Sequence, residues 1–73
     1  MSPDKLAHMA NQIGRFFQTQ KGDTAVASIT DHLLKFWDPR MRRAIRAQLA
    51  AGTCHLDPLV RQAVEQVGDH EQV

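Results

Sequence analysis

The amino-acid sequence predicts a small all-α fold, a bundle of three to four short helices. Two observations carry this. Apolar residues recur at helical spacing along the chain, and three times a short polar residue stands directly before proline, at Ser2-Pro3, Asp38-Pro39 and Asp57-Pro58. Ser and Asp can accept the amide hydrogens that a first helical turn leaves unbonded. Proline at the first helical position gives up only a donor that has no partner there. Proline also disfavours the α region for the residue before it, so the chain must break ahead of Pro39 and Pro58.

The first helix is predicted over about 3–18, with Leu6, Met9, Ala10, Ile13, Phe16 and Phe17 on one stripe and polar residues opposite. Gln18 to Asp23 reads as a loop, with Asp23 or Thr24 capping the next helix. That second helix, about 24–37, carries Val26, Ile29, Leu33, Phe36 and Trp37, the first stripe repeated at an offset of twenty residues. Two amphipathic helices facing one core need similar patterns, so the echo indicates a shared packing role rather than duplication. An antiparallel hairpin would set Phe16-Phe17 and Phe36-Trp37 at opposite ends of the core.

The third helix, about 39–51, is predicted to stop at a left-handed Gly52, with Met41, Ala44, Ile45 and Leu49 inward and Arg42, Arg43 and Arg46 on the other side. The fourth, about 58–67, directs Val60, Ala63, Val64 and Val67 inward and pairs Arg61 with Glu65 outside. Residues 1–73 form a single helical domain in this reading, with 69–73 as a frayed tail.

A chain of 73 residues with three Phe, one Trp and no Tyr can build only a thin core, so burial against another surface would add stability. The formal net charge of +1 is too balanced for a protein that binds nucleic acid through bulk charge. Cys54 is the single cysteine and cannot form an internal disulfide, which fits a reducing compartment. The N-terminus lacks a basic region followed by an apolar stretch, and no apolar run reaches membrane-spanning length. The expectation is a soluble, cytoplasmic protein with no membrane contact.

No catalytic, cofactor-binding or metal-binding residue is nominated. His8, His32, His55 and His70 include no pair at i,i+3 or i,i+4. Cys54 and His55 are adjacent, but adjacency does not aim a thiol at an imidazole, and no third group is identifiable. Gly14, Gly22, Gly52 and Gly68 are isolated and form no phosphate loop.

The least generic segment is Lys35-Phe36-Trp37-Asp38-Pro39-Arg40-Met41-Arg42-Arg43, which sets an aromatic pair against a tight corner and then presents arginines up to Arg46. Phe36 and Trp37 as core and the arginines as a solvated face is one reading. The other is docking through Trp37, Arg40, Arg42, Arg43 and Arg46, because Trp and Arg are frequent interface anchors and arginine forms bidentate bonds with carboxylates. Leu34 lies off its helix stripe and is a candidate for exposed apolar surface, although a wide core face would also cover it. Asn11 and Gln12 sit mid-helix beside Gly14, where another element can approach closely, although solvation explains the two amides equally well.

Met9-Ala10-Asn11-Gln12-Ile13-Gly14 with Phe16-Phe17, together with His32, Lys35-Phe36-Trp37, Pro39 and Arg40-Met41-Arg42, resembles the delta subunit of soluble, NAD-dependent, molybdenum- or tungsten-containing formate dehydrogenases. The resemblance covers most of residues 2 to 64, and Phe36 to Arg42 is its most specific part. It implies a non-catalytic accessory subunit without a redox centre. In such a complex the alpha subunit holds bis-molybdopterin guanine dinucleotide and iron–sulfur clusters, and the beta and gamma subunits carry FMN, further clusters and the NAD site. The implied partner is the alpha subunit, and the implied role is support of complex stability or cofactor loading. The alternative is a small DNA-binding or regulatory protein that uses the Arg-rich third helix. The balanced charge and the tight Asp38-Pro39 corner count against it.

Overall fold

The computed structural model describes residues 3–52 and 55–71, and the side chains of 5–52 and 55–70. The proposed Ser2 cap, Cys54 and the last two residues of the tail lie outside these. The described residues form four helices: α1 (Pro3–Phe17), α2 (Gly22–Phe36), α3 (Pro39–Ala51) and α4 (Pro58–Glu71).

The cap chemistry expected at the second corner is present. Asp38 has an extended backbone, its carboxylate accepts the Met41 amide at 2.9 Å, and Pro39 occupies the first turn. Gly52 ends α3 in the left-handed conformation at φ 69°, which glycine adopts without strain. Asp38→Ala is expected to cost about 1 kcal/mol, lowering the melting temperature by about 4–8 °C in a thermal scan followed by circular dichroism.

Two boundaries differ from expectation. Helix α2 starts at Gly22, with Lys21 as the N-cap residue and no side-chain cap, so Asp23 falls within the first turn. There its carboxylate complements the positive end of the helix dipole. Helix α4 runs through Gly68 to Glu71. Gly68 does not turn left-handed, so it does not end the helix, and it lies buried against the Arg46 guanidinium.

The core is built mainly where α4 lies across α2. Ile29 and Leu33 of α2, Ile45 of α3 and Val60, Val64 and Val67 of α4 are fully buried, with Trp37 beside them at 5% exposure. Thr30 is buried in this layer and donates its hydroxyl to the Val26 carbonyl at 2.8 Å, with the Ala63 carbonyl of α4 at 3.4 Å. A hydroxyl that bonds back to its own helix enters an apolar layer without stranding a donor. Leu6, Ala7, Ala10 and Gly14 give α1 its buried line. A Cβ at Gly14 would stand 2.3 Å from Val60 Cγ2, so glycine there lets α1 and α4 come together, the close approach that the sequence indicated.

The two stripes pack differently from the hairpin expected. Phe16 and Phe36 do not enter the core: they are 77% and 73% exposed. Phe16 is two positions beyond Gly14, about 200° around the helix and so on the far side of the buried line. Phe36 is one turn beyond the half-buried His32 and flanks the line that runs from Leu33 to Trp37. Nor do the aromatic pairs occupy opposite ends. The Phe17 ring meets His32 at a centroid separation of 6.3 Å, and His32 meets Phe36 at 4.7 Å. Helices α1 and α2 therefore cross so that their aromatics gather on one side. Leu34 is half-buried against the core, the wider of the two faces that its position allowed. Arg61 and Glu65 are both exposed without pairing, whereas Asp31 and Lys35 on α2 form an i,i+4 ion pair at 3.1 Å.

Candidate docking surface

The residues proposed for docking divide into inward and outward sets. Trp37 is core. Arg42, predicted to project outward, is half-buried and donates from Nη1 to the Leu34 carbonyl at 3.2 Å and to the Trp37 carbonyl. The last carbonyls of α2 have no amide partner within the helix, and a guanidinium reaching back from α3 satisfies them. Arg42 thus secures the corner rather than presenting charge. Arg46 is half-buried against Gly68. Arg40 and Arg43 remain exposed, Arg43 with its Nε near the Pro39 carbonyl at 3.4 Å. The arginine face of α3 is therefore narrower than its sequence suggests, which weakens the DNA-binding alternative.

Asn11 is also engaged within the chain. Its Nδ2 donates to the His55 carbonyl at 2.9 Å and its Oδ1 accepts the Asp57 amide at 3.0 Å, so one carboxamide clamps the segment that leads into α4. Both functions of an amide are used at a single stretch of backbone, an arrangement that Ala or Leu cannot reproduce. Asn11→Ala is expected to destabilise by about 1–2 kcal/mol, measured as an unchanged denaturant m-value with a lowered midpoint. Gln12 is exposed, and its Nε2 lies 3.2 Å from His8 Nε2.

What faces solvent without explanation from the fold is the aromatic side. Phe16 packs edge-on to Phe17 at 5.0 Å, and Phe17, His32 and Phe36 continue the row onto α2. A groove of about 440 Å³ opens here, floored by Ile13 and Trp37 and walled by Met9, Phe16, Phe17 and His32, with Gln12 at its rim. Sequence reasoning placed Phe16 and Phe36 in the core. The signal that could have corrected it is the adjacency of each pair, since neighbouring residues lie 100° apart on a helix and only one of two can face a narrow core.

A second, larger groove of about 1040 Å³ lies between α3 and α4, where Arg43, Arg46 and Arg61 are interleaved with Glu65 and Asp69. Its charges largely offset one another. Among the described residues no group of three His, Cys, Asp or Glu side chains gathers to hold a metal, and no helix is long and apolar enough to cross a membrane.

A helical core in which Thr30, Asn11 and Arg42 bond within the chain, with one aromatic face left uncovered, defines a small all-α protein. Residues 5–64 match the family described as the NADH-dependent formate dehydrogenase delta subunit, FdsD. The chain belongs to this family, as the resemblance in its sequence indicated. Comparison with curated proteins and with solved structures gave no match.

Proposed function

We propose that this protein is a non-catalytic subunit of an NAD-dependent formate dehydrogenase. In this reading it carries no redox centre, docks on the large catalytic alpha subunit of an assembly that also contains beta and gamma subunits, and supports the stability of the complex or the loading of its molybdenum cofactor. The molybdopterin guanine dinucleotide, iron–sulfur clusters, FMN and NAD site belong to the other subunits.

The observation that carries the reading is the extent of the family match: residues 5–64 include most of α1, all of α2 and α3, and the first half of α4. The family relationship therefore spans all four helices, α4 in its first half, and not one local motif. The exposed phenylalanines agree with it, because a small domain gains from covering such rings with a partner.

The test is tagged purification from the native cell, paired with deletion of the chain. The expected result is recovery of the large subunit with the tagged chain. In the deletion strain, formate-dependent NAD reduction and molybdenum content of the enzyme should fall. Stoichiometric retention in active enzyme supports a permanent subunit, and loss on completion of the enzyme supports a loading factor. An unchanged enzyme in the deletion strain together with no large subunit in the purification would refute the proposal.

A further inference from the structure

We propose that the groove between α1 and α2 is the surface that engages the large subunit, and that its occupant is an amphipathic helix whose apolar side chains seat between Phe16 and Phe36 and whose flank is acidic. This rests on the reading of the chain as a formate dehydrogenase subunit. It moves the docking surface from the arginines of the Trp37 to Arg46 corner to the groove that Trp37 floors between α1 and α2.

Three observations lead to it. The two phenylalanines are the large hydrophobic side chains left most open among the described residues; Phe16 lines the concavity, and Phe36 packs against His32 of its wall. They are also held in place, since the row of Phe16, Phe17, His32 and Phe36 packs ring to ring at separations of 5.0, 6.3 and 4.7 Å. An aromatic surface ordered before binding loses little side-chain freedom when it is covered.

The third observation is charge. Each exposed ring follows a basic residue, Arg15 before Phe16 and Lys35 before Phe36, and all four side chains are exposed. No carboxylate lines the groove. Lys35 and Asp31 offset one another at 3.1 Å, which leaves Arg15 to carry the preference, and Asp38 is engaged by the Met41 amide. An apolar trough between two helices with Arg15 next to Phe16 at its margin suits a partner helix that presents spaced apolar anchors and an acidic neighbour. The groove between α3 and α4 offers no comparable preference, because its arginines face Glu65 and Asp69.

The test uses the full chain and the enzyme purified from a strain lacking it. Phe16→Ser with Phe36→Ser, and separately Arg15→Glu, are compared with the wild-type chain for binding to that enzyme, and thermal melts confirm folding. The expected result is at least about thirtyfold weaker binding for the double phenylalanine variant, as for loss of interface anchors, with a melt close to wild type. Arg15→Glu should weaken binding several-fold and flatten its salt dependence.

A photo-crosslinking residue at position 16 or 36 of an otherwise wild-type chain should attach to an acid-flanked helix of the large subunit. It gives a readout even if the double variant fails to fold. Wild-type binding by a folded double variant, or crosslinks to other segments only, would overturn the groove while leaving the subunit reading intact. Failure of the wild-type chain to bind the enzyme would overturn the subunit reading itself. A wild-type dimer that becomes monomeric in the double variant would assign the groove to a second copy and overturn the proposed occupant.

Discussion

Trp37→Ala is expected to strip the isolated chain of a large share of its stability, up to loss of the cooperative unfolding transition. Truncating a buried tryptophan typically costs about 3–5 kcal/mol, from lost transfer energy and from the cavity left behind. A domain of this size has roughly 4–11 kcal/mol of total stability, so one substitution removes from about a quarter of it to all of it. Trp37 is 5% exposed and joins the core at the corner where α2 gives way to α3. Its carbonyl is also held by Arg42, so collapse around the cavity would disturb the corner as well. Far-UV circular dichroism on heating reads the outcome: a broad, sloping loss of helix for the variant against a sigmoid for the wild type. A retained sigmoid within a few degrees of wild type would show that Trp37 contributes little. Trp37→Phe should fall between the two.

The second large effect is overpacking at Gly14. A single Cβ there meets Val60 Cγ2 at 2.3 Å, and Val60 is fully buried, so its methyl group has no open space to move into. Gly14→Ala sets an overpacking cost of about 1–3 kcal/mol against a gain of about 1 kcal/mol in helix propensity. The net change should be modestly destabilising. Gly14→Val keeps the clash, adds two methyl groups and loses most of the propensity gain, so about 2–3 kcal/mol is expected. Combining Gly14→Ala with Val60→Ala should recover part of the loss, which a double-mutant cycle would register as coupling between the two positions. Independent, additive effects would refute the contact.

The contrast between what could be read from residue order and what could not follows the range of the interactions. Asp38-Pro39, Asp57-Pro58 and Gly52 act within one turn of backbone, so the starts of α3 and α4 and the end of α3 agree with expectation. Gly14 was legible as a place of close approach because glycine inside an apolar helix has few other uses, although its neighbour Val60 was not. The docking residues were less legible. Arg42 and Asn11 carry side chains that suit a partner equally well, and only the tertiary arrangement shows that their hydrogen bonds end within the chain. Phe16 and Phe36 misled in the opposite sense. A stripe drawn wide enough to include both members of an adjacent pair is wider than the line that α4 covers. Gly68 resembles a stop signal until the Arg46 side chain lying against it is known.

The pairing of α2 with α4 also orders events in time. The helix that completes the core leaves the ribosome after the three that it covers, and the Asn11 clamp reaches from α1 to the segment just before it. While only the first half of the chain has been made, Ile29 and Leu33 have no Val60 or Val64 to cover them, and α1 alone cannot shield both. The nascent chain thus passes through a stage in which its future interior is open to water and to other chains. A protein built this way becomes safe from aggregation only once α4 has been made, and a product truncated before α4 would be a substrate for proteolysis rather than a smaller working version.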